Sequence, residues 1–564
     1  MSRTANASQT RIARAEWVLV GVWTAVALLA IAAPYWDGYR RAPAGWRFDG
    51  FVGGYPDDYY GYLAWMRQAR DGFVLFKDYF TTEPHGRVFF HPLFWAMGTM
   101  SRLTGAPLLI PWYVVHAFGC GLLLVTVYRF AAHFTPDAPA RVLALALVTT
   151  STGFGWLTAP TGTTPWIARS IDLWHVETDE FRALTSSFFT LPVALTCMLL
   201  AFLHALRYLR TARRTDAVAS GVYALALVAT HQYDIVVLYA VLAAYVLVAA
   251  RRHVARVAIV AVPSLLYCLY SVAVVRFDPV FAQHVHVSMR TPTPLACALG
   301  WGLPLMLAAI ALLTPAVWRS GRDLGFLAVW LVVGMVVLAL PLGFARKLMW
   351  GMHVPMCVLG AMLVVEMLRS AGRALPRRAA TAVVVAGSIL VTIAAGIGTV
   401  PLYRKLFVHP APPAVGDYLP DDYLEALRWL DDHTEPAEVV LASLPLAALI
   451  PGYTGCVTFV GHWAQTVDPN HKAAFVAALF GVAGGLPPTA IRGILARNRV
   501  HYLFLDRWAR DLARIPLARR EFPFSSVADV VYENPFATIW RVRDAGQSPP
   551  WDDGDWRGAG THDR

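Results

Sequence analysis

The chain has 564 residues, 57% of them hydrophobic and only 15% charged, with a mean hydropathy of +0.48. That balance excludes a wholly water-soluble protein, because so much apolar surface has to be solvated by lipid. The net charge of +11 is carried largely by arginines in short loops between apolar runs, the pattern of membrane orientation and not of nucleic-acid binding.

Apolar runs of roughly 16 to 22 residues, each able to cross ~30 Å of hydrocarbon, recur from Trp17 to Val400. About eleven transmembrane helices are predicted, at 17–34, 108–128, 142–159, 185–206, 217–231, 235–250, 257–275, 295–313, 325–342, 351–368 and 379–400. The first follows Arg3, Arg11 and Arg14 like the start of a signal peptide. No small-residue cleavage site precedes Tyr35-Trp36, so it reads as an anchor. Basic residues concentrate in alternate loops, among them Arg129, Arg141, Arg207, Arg210, Arg213, Arg214, Arg319, Arg322, Arg369, Arg373, Arg377 and Arg378. These loops are predicted to be cytoplasmic, with the N-terminus inside and, after an odd number of spans, the C-terminal region outside. The expected location is the plasma (inner) membrane.

Between the spans, three outer segments are polar. The large first loop, 35–107, is rich in aromatic residues, glycine and proline. Within it, Asp57 to Arg70 reads as a helix with Pro56 at its first position and Gly72 as its stop. Tyr59, Tyr62, Leu63 and Met66 share one face, which suits a helix lying in the membrane interface. The apolar stretch from His91 to Leu103 is too short to cross and reads as re-entrant or interfacial. The segment 160–184 holds Asp172, His175, Glu177, Asp179, Glu180 and Arg182, and 276–294 holds His284 and His286.

Residues 1–400 thus form the membrane region. Residues 401–545 change to a soluble composition, with helices at Asp421–Asp432, His471–Phe480 and Pro488–Arg497. Strands follow from Glu438–Ala442, His501–Leu505 and Ala537–Arg543, which alternate with the helices as in a small α/β domain. The tail 546–564 is predicted to be disordered. The six cysteines offer neither a disulfide framework nor zinc-ligand spacing.

The adjacent acids Asp57 and Asp58 carry the chemistry best. Successive helix positions diverge by about 100°, so the pair cannot point the same way. One faces the cleft while the other caps, orients or binds a cation. Acids in a first turn also simply complement the helix dipole. Arg346 and Lys347 stand at an outer membrane boundary, where they either grip phosphate oxygens or snorkel to headgroups. In Thr230-His231-Gln232-Tyr233-Asp234, the aspartate's cost near hydrocarbon places it in a wet cavity, as a sugar contact or the partner of a base. Glu177 and Asp179 are candidate secondary acids or ordinary loop charges. His284 and His286 lack the clustered partners of a metal site. His85 and His91 flank Arg87 near the acids. Trp463 and Gln465 offer a stacking face and an amide, for either a sugar or the domain core.

The run Tyr55-Pro56-Asp57-Asp58-Tyr59-Tyr60, following one span, together with Pro92-Leu93-Phe94 to Gly105, resembles the GT-C superfamily. Those membrane glycosyltransferases use polyprenyl-phosphate sugars, and include protein O-mannosyltransferases and aminoarabinose transferases. The resemblance is loose over the membrane region, its one sharp motif is the acidic pair, and the C-terminal region matches no particular member. It implies a cleft at the outer leaflet, Asp57 or Asp58 as general base, and inversion at the sugar carbon. It also implies Arg346 as phosphate ligand, Glu177 and Asp179 as second acids, and a glycan, lipid or protein acceptor. No cofactor is expected, with a divalent metal left open because oligosaccharyl transferases use one. The alternatives are an oligosaccharide ligase or oligosaccharyl transferase, and a lipid-linked sugar transporter, against which no inverted repeat is evident.

Overall fold

A computed structural model describes residues 12–54, 56–158, 171–249, 251, 254–286, 289, 291–407, 417–444, 446–480, 488–507 and 526–543. The expected disordered tail, 546–564, lies outside the described residues.

The apolar runs become helices. They are α1 (Arg14–Arg41), α2 (Pro56–Arg70), α3 (Pro92–Thr104), α4 (Leu109–Phe134), α5 (Ala138–Thr150), α6 (Ile171–Thr185), α7 (Thr190–Thr211) and α8 (Arg214–Thr230). There follow α9 (Asp234–Ala249), α10 (Val254–Phe277), α11 (Pro294–Leu313), α12 (Pro315–Ser320), α13 (Leu324–Leu338), α14 (His353–Ala371), α15 (Arg377–Gly396) and α16 (Thr399–Arg404). Each predicted span falls on one of them. Among the described residues, 7 are suited to a full crossing by length and composition: α1, α4, α7, α10, α11, α15 and the run Ala345–Ala371 that contains α14. The helices α5, α9 and α13 are shorter apolar elements, and α8 has 17 residues. The run 142–159 stops early because Thr149, Thr150 and Ser151 turn their hydroxyls back onto carbonyls four residues before. A 3-10 turn at Gly155–Thr158 then takes over from the helix.

Burial sorts the helices into an interior and a lipid-facing shell. The helix α14 is buried from His353 to Val365, whereas α1, α10 and α15 expose Leu29, Ile259, Leu266, Leu390 and Ile393. Such faces are stable only against hydrocarbon. The protein is a multi-pass membrane protein.

The C-terminal region holds α17 (Asp421–His433), α18 (Ile450–Thr454), α19 (Pro469–Leu479) and α20 (Pro488–Arg497). Its strands are β3 (Val439–Ala442), β4 (Val457–Thr458), β5 (Val500–Asp506), β6 (Ala528–Glu533) and β7 (Ala537–Val542). They form a mixed sheet in the order β4-β3-β5-β7-β6, with β3 parallel to β4 and β5 and with β7 antiparallel to its neighbours. The α/β reading of this region is the observed one.

The region does not stand apart from the loop 35–107. Strand β1 (Trp46–Phe48) pairs antiparallel with β2 (Tyr418–Pro420), and Arg67 reaches Asp431 at 2.6 Å. The predicted interfacial helix is consequently something else. Tyr59, Tyr60, Leu63, Trp65 and Met66 are all buried, because α2 is clasped between α3 and the C-terminal α18. Glycines make the clasp close. A Cβ on Gly98 would lie 2.2 Å from the Met66 carbonyl oxygen, and one on Gly452 would lie 2.8 Å from the Leu63 Cβ. Apolar residues on more than one face of α2 look amphipathic in sequence but serve two partners. Helix α3 covers α2 and turns Trp95, Met100 and Leu103 outward.

Candidate active site

The start of α2 is held by its surroundings before any acid is placed. Gly53, at φ +115°, has no room for a side chain, since a Cβ would sit 2.7 Å from that of Ser186. Ser187 Oγ accepts the Val52 amide at 2.8 Å and shares a hydrogen bond with the Tyr35 hydroxyl at 2.8 Å, and Tyr59 donates its hydroxyl to the Val52 carbonyl at 2.9 Å. Buried Asp49 accepts from the Tyr60 hydroxyl at 3.0 Å. The loop ahead of Pro56 is therefore tied to the α6–α7 corner and to α2 itself.

From that anchored first turn the two acids diverge as expected. Asp57 is exposed and Asp58 is half-buried. Burial raises both carboxyls above the ordinary carboxylate range, and at Asp58 the neighbouring Asp57 adds to the rise. Two cations, Lys347 and Arg182, act on Asp58 in the opposite sense.

These cations come from separate parts of the membrane region. Lys347 sits on the 3-10 turn Ala345–Met349, with its ammonium 4.2 Å from the centre of the Tyr233 ring. Arg182 projects from α6, donates to His175 Nδ1 at 3.0 Å, and lies 5.9 Å from the Trp350 ring. Arg346 is half-buried beside Lys347. Burial, then the charges of Arg182 and Arg346, hold His175 down to about 3, so it stays a neutral acceptor among cations. The geometry is an anion cradle with one carboxylate at its edge.

A third contribution comes from the C-terminal region. His462, buried, brings Nε2 to 4.0 Å from Asp58 Oδ1. Gly61 on α2 admits this approach, for a Cβ there would meet the Gln465 amide nitrogen at 2.9 Å. Trp463 is 53% exposed, so it is free of the core, and its ring stacks on His462.

The remaining sequence candidates divide. His231 Nδ1 and Asp234 Oδ2 are 3.0 Å apart, and the His231 ring packs 6.2 Å from Trp350, the ring that Arg182 also faces. This pair adjoins the cradle. Glu177 is buried, its carboxylate packed against Gly155 and its backbone beside Gly300. The side chains of Asp179, His284 and His286 lie outside the described residues. His85 accepts the Asp78 amide at 3.0 Å, and His91 caps α3 while facing the Thr230 carbonyl at 3.3 Å, so both are occupied by the backbone. Among the described residues, no three His, Cys, Asp or Glu side chains gather as a metal site. Sequence reasoning passed over Arg182 and His462. Arg182 was visible as the arginine that follows the acids of 160–184, and His462 as the residue between Gly461 and Trp463.

No protein-family profile and no curated protein matches the chain. Solved structures do. An arabinofuranosyltransferase, AftD, from Mycobacteria superposes with a TM-score of 0.51 at 15% identity, covering 95% of this chain and 40% of that one. ArnT from Cupriavidus metallidurans, bound to undecaprenyl phosphate, gives 0.46 at 15% identity, covering 96% and 100%. The archaeal oligosaccharyltransferase AglB from Archaeoglobus fulgidus, with an inhibitory peptide and a dolichol-phosphate, gives 0.49 at 14%, covering 88% and 70%. The chain spans well under half of AftD, and the likeness to it is one of fold.

Proposed function

We propose that the protein is an inverting glycosyltransferase. It moves a sugar from a polyprenyl-phosphate donor to a hydroxyl on a glycan, lipid or protein, on the extracytoplasmic face of the plasma membrane. The observation that carries this reading is Asp58 facing Lys347 and Arg182, with Arg346 close by, at the boundary between spans and outer region.

The chemistry follows from the charges. Asp58 takes the proton of the acceptor hydroxyl as its oxygen attacks the anomeric carbon from the face opposite the phosphate. The bond from that carbon to the phosphate oxygen breaks, and its electron pair leaves with the polyprenyl phosphate. The phosphate gains a negative charge in this step, which Lys347, Arg182 and Arg346 are placed to stabilise where little water competes. No general acid is needed for such a leaving group. Cations rather than a divalent ion fill the electrostatic role in this reading. His231, Asp234 and Trp350 line the same edge as contacts for the sugar.

Orientation rests on arginine. The loops bearing Arg207, Arg210, Arg322, Arg369 and Arg377 lie inside by the positive-inside rule. The shared core of α2 and the C-terminal region joins the two, which supports an outer position for Asp58 and that region together. The fold shared with an arabinofuranosyltransferase is in keeping with the reading. Mass spectrometry of lipid-linked sugars and surface glycans, in cells with and without the protein, tests it. One donor should accumulate as one modification disappears; unchanged pools of both would refute it.

A further inference from the structure

Resting on the proposed transfer reaction, we infer that His462, delivered by the C-terminal region, is a positioning residue for Asp58: it presents a fixed N–H to the carboxylate and so aims and tunes the base. The tautomer is read from the loop that carries it. His462 Nδ1 accepts two backbone amides, from Ala464 at 3.1 Å and from Gln465 at 3.2 Å. A ring nitrogen that receives two N–H groups cannot hold a proton of its own, so the proton resides on Nε2. That is the nitrogen 4.0 Å from Asp58 Oδ1.

The ring is not free to point elsewhere. Its flank packs against Phe80, with centroids 5.4 Å apart, and Trp463 stacks on it at 6.0 Å. The loop itself is fastened, since Thr466 accepts the Gly461 and His462 amides and donates to the Phe80 carbonyl at 2.8 Å. The missing side chain at Gly61 leaves the path between ring and carboxylate open. A separation of 4.0 Å is one short step outside hydrogen-bond range, and catalytic contacts of this kind commonly tighten only when substrate fills the cleft.

Asp58 is faced by Asp57 and Tyr62 from its own helix, by Arg182 from α6, by Lys347 from the 3-10 turn, and by His462 from the C-terminal loop. The two cations are also the groups suited to hold the donor phosphate, and once it binds they are shared with it. His462 is the one described neighbour that stabilises the carboxylate without being drawn to the phosphate. It keeps the base ionised and directed during the step that needs it.

Two substitutions separate this role from a purely structural one. His462→Asn keeps an oxygen where Nδ1 accepts the loop amides but has no atom at Nε2. His462→Gln reaches the Nε2 position with an N–H but gives up the amide contacts. If His462 serves Asp58, the asparagine variant loses about tenfold in kcat with donor KM within about twofold, and glutamine recovers most of it. The carboxyl of Asp58, followed by the pH dependence of carbodiimide labelling and peptide mass spectrometry, shifts its midpoint upward in His462→Asn and returns in His462→Gln. If the residue only supports the loop, the order reverses, with glutamine the poorer variant and the labelling midpoint unmoved; that result overturns the inference. Labelling needs no substrate. A wild-type protein that turns over no polyprenyl-phosphate sugar therefore refutes the proposed reaction, while the labelling order still decides the His462–Asp58 pairing.

Discussion

Replacing Asp58 with asparagine removes the base while leaving its shape, and the structure dictates opposite effects on turnover and on donor binding. The side chain is 41% exposed and, among the described residues, its ion-pair contact is His462 at 4.0 Å, so losing its attraction to Lys347 and Arg182 costs at most about 1 kcal/mol of stability. The protein should express and melt almost normally. Turnover should not survive: withdrawing a general base lowers kcat by roughly 10²–10⁴-fold, or about 3–5 kcal/mol on the barrier. Donor binding should move the other way. A phosphodiester held ~7 Å from an ionised carboxylate is repelled by about 2 kcal/mol at an effective dielectric of ~20. Removing that charge while both cations remain should leave donor KM unchanged or lower it by up to about thirtyfold. Initial rates in proteoliposomes, across a range of polyprenyl-phosphate sugar, measure both constants. Asp57→Asn, on the exposed side of the same turn, should lose far less. An Asp58→Asn enzyme within tenfold of wild-type kcat, or one whose donor KM rises alongside a fall in kcat, would refute the assignment.

The other consequences are more local. Lys347→Met and Arg182→Ala should each raise donor KM by about tenfold or more. Because each also withdraws a charge that favours ionised Asp58, the acidic limb of the kcat/KM profile should move to higher pH; a limb that stays or moves down contradicts the pairing. Gly98→Ala forces a methyl to within 2.2 Å of the Met66 carbonyl oxygen, and should destabilise the α2–α3 contact by about 3 kcal/mol, seen as a lower melting temperature. A wild-type melt would mean the helices are not so close. Cysteines introduced at exposed Glu435 and Ala371 should react with an impermeant maleimide from opposite sides, Glu435→Cys from outside. The native cysteines are buried or nearly so; the reverse labelling would invert the topology. Turnover should persist in EDTA, whereas a loss reversed by added magnesium or manganese would bring a metal ion into the mechanism.

Much of the architecture was legible because hydrocarbon thickness imposes a length on any helix that crosses it. That constraint wrote the runs near α4, α7, α11 and α14 plainly into the sequence. In the outer region, Pro469 and Pro488 open helices and the run Val500–Asp506 alternates little because both its faces are covered. The existence of α2 was equally legible from Pro56 and Gly72. Its burial was not. Tyr59, Leu63 and Met66 mark one apolar face whether that face meets lipid or protein, and only Gly98 and Gly452, distant in the chain, decide the matter. The acid was legible for a local reason, two carboxylates after a proline, but its partners were not. Arg182 looked like one charge in a polar loop, and His462 looked subordinate to its neighbour Trp463. Both acquire meaning only when three separate segments converge on a single carboxylate.

That convergence also argues for what the C-terminal region is for. A soluble domain that merely decorated the membrane region would need a contact of its own with solvent-facing loops. Here the domain instead encloses α2, contributes Leu427, Ile450 and Tyr423 to the same core as Leu63 and Met66, and adds strand β2 to β1. The cations that face Asp58 belong to the membrane region, at the 3-10 turn and α6, while His462 belongs to the outer sheet's flank. Asp58 rides on the helix between them. Any displacement of the C-terminal region relative to the spans must therefore change the distance from Asp58 to Lys347 and Arg182, which makes the clasp on α2 the element that sets the geometry of the proposed site as well as the fold.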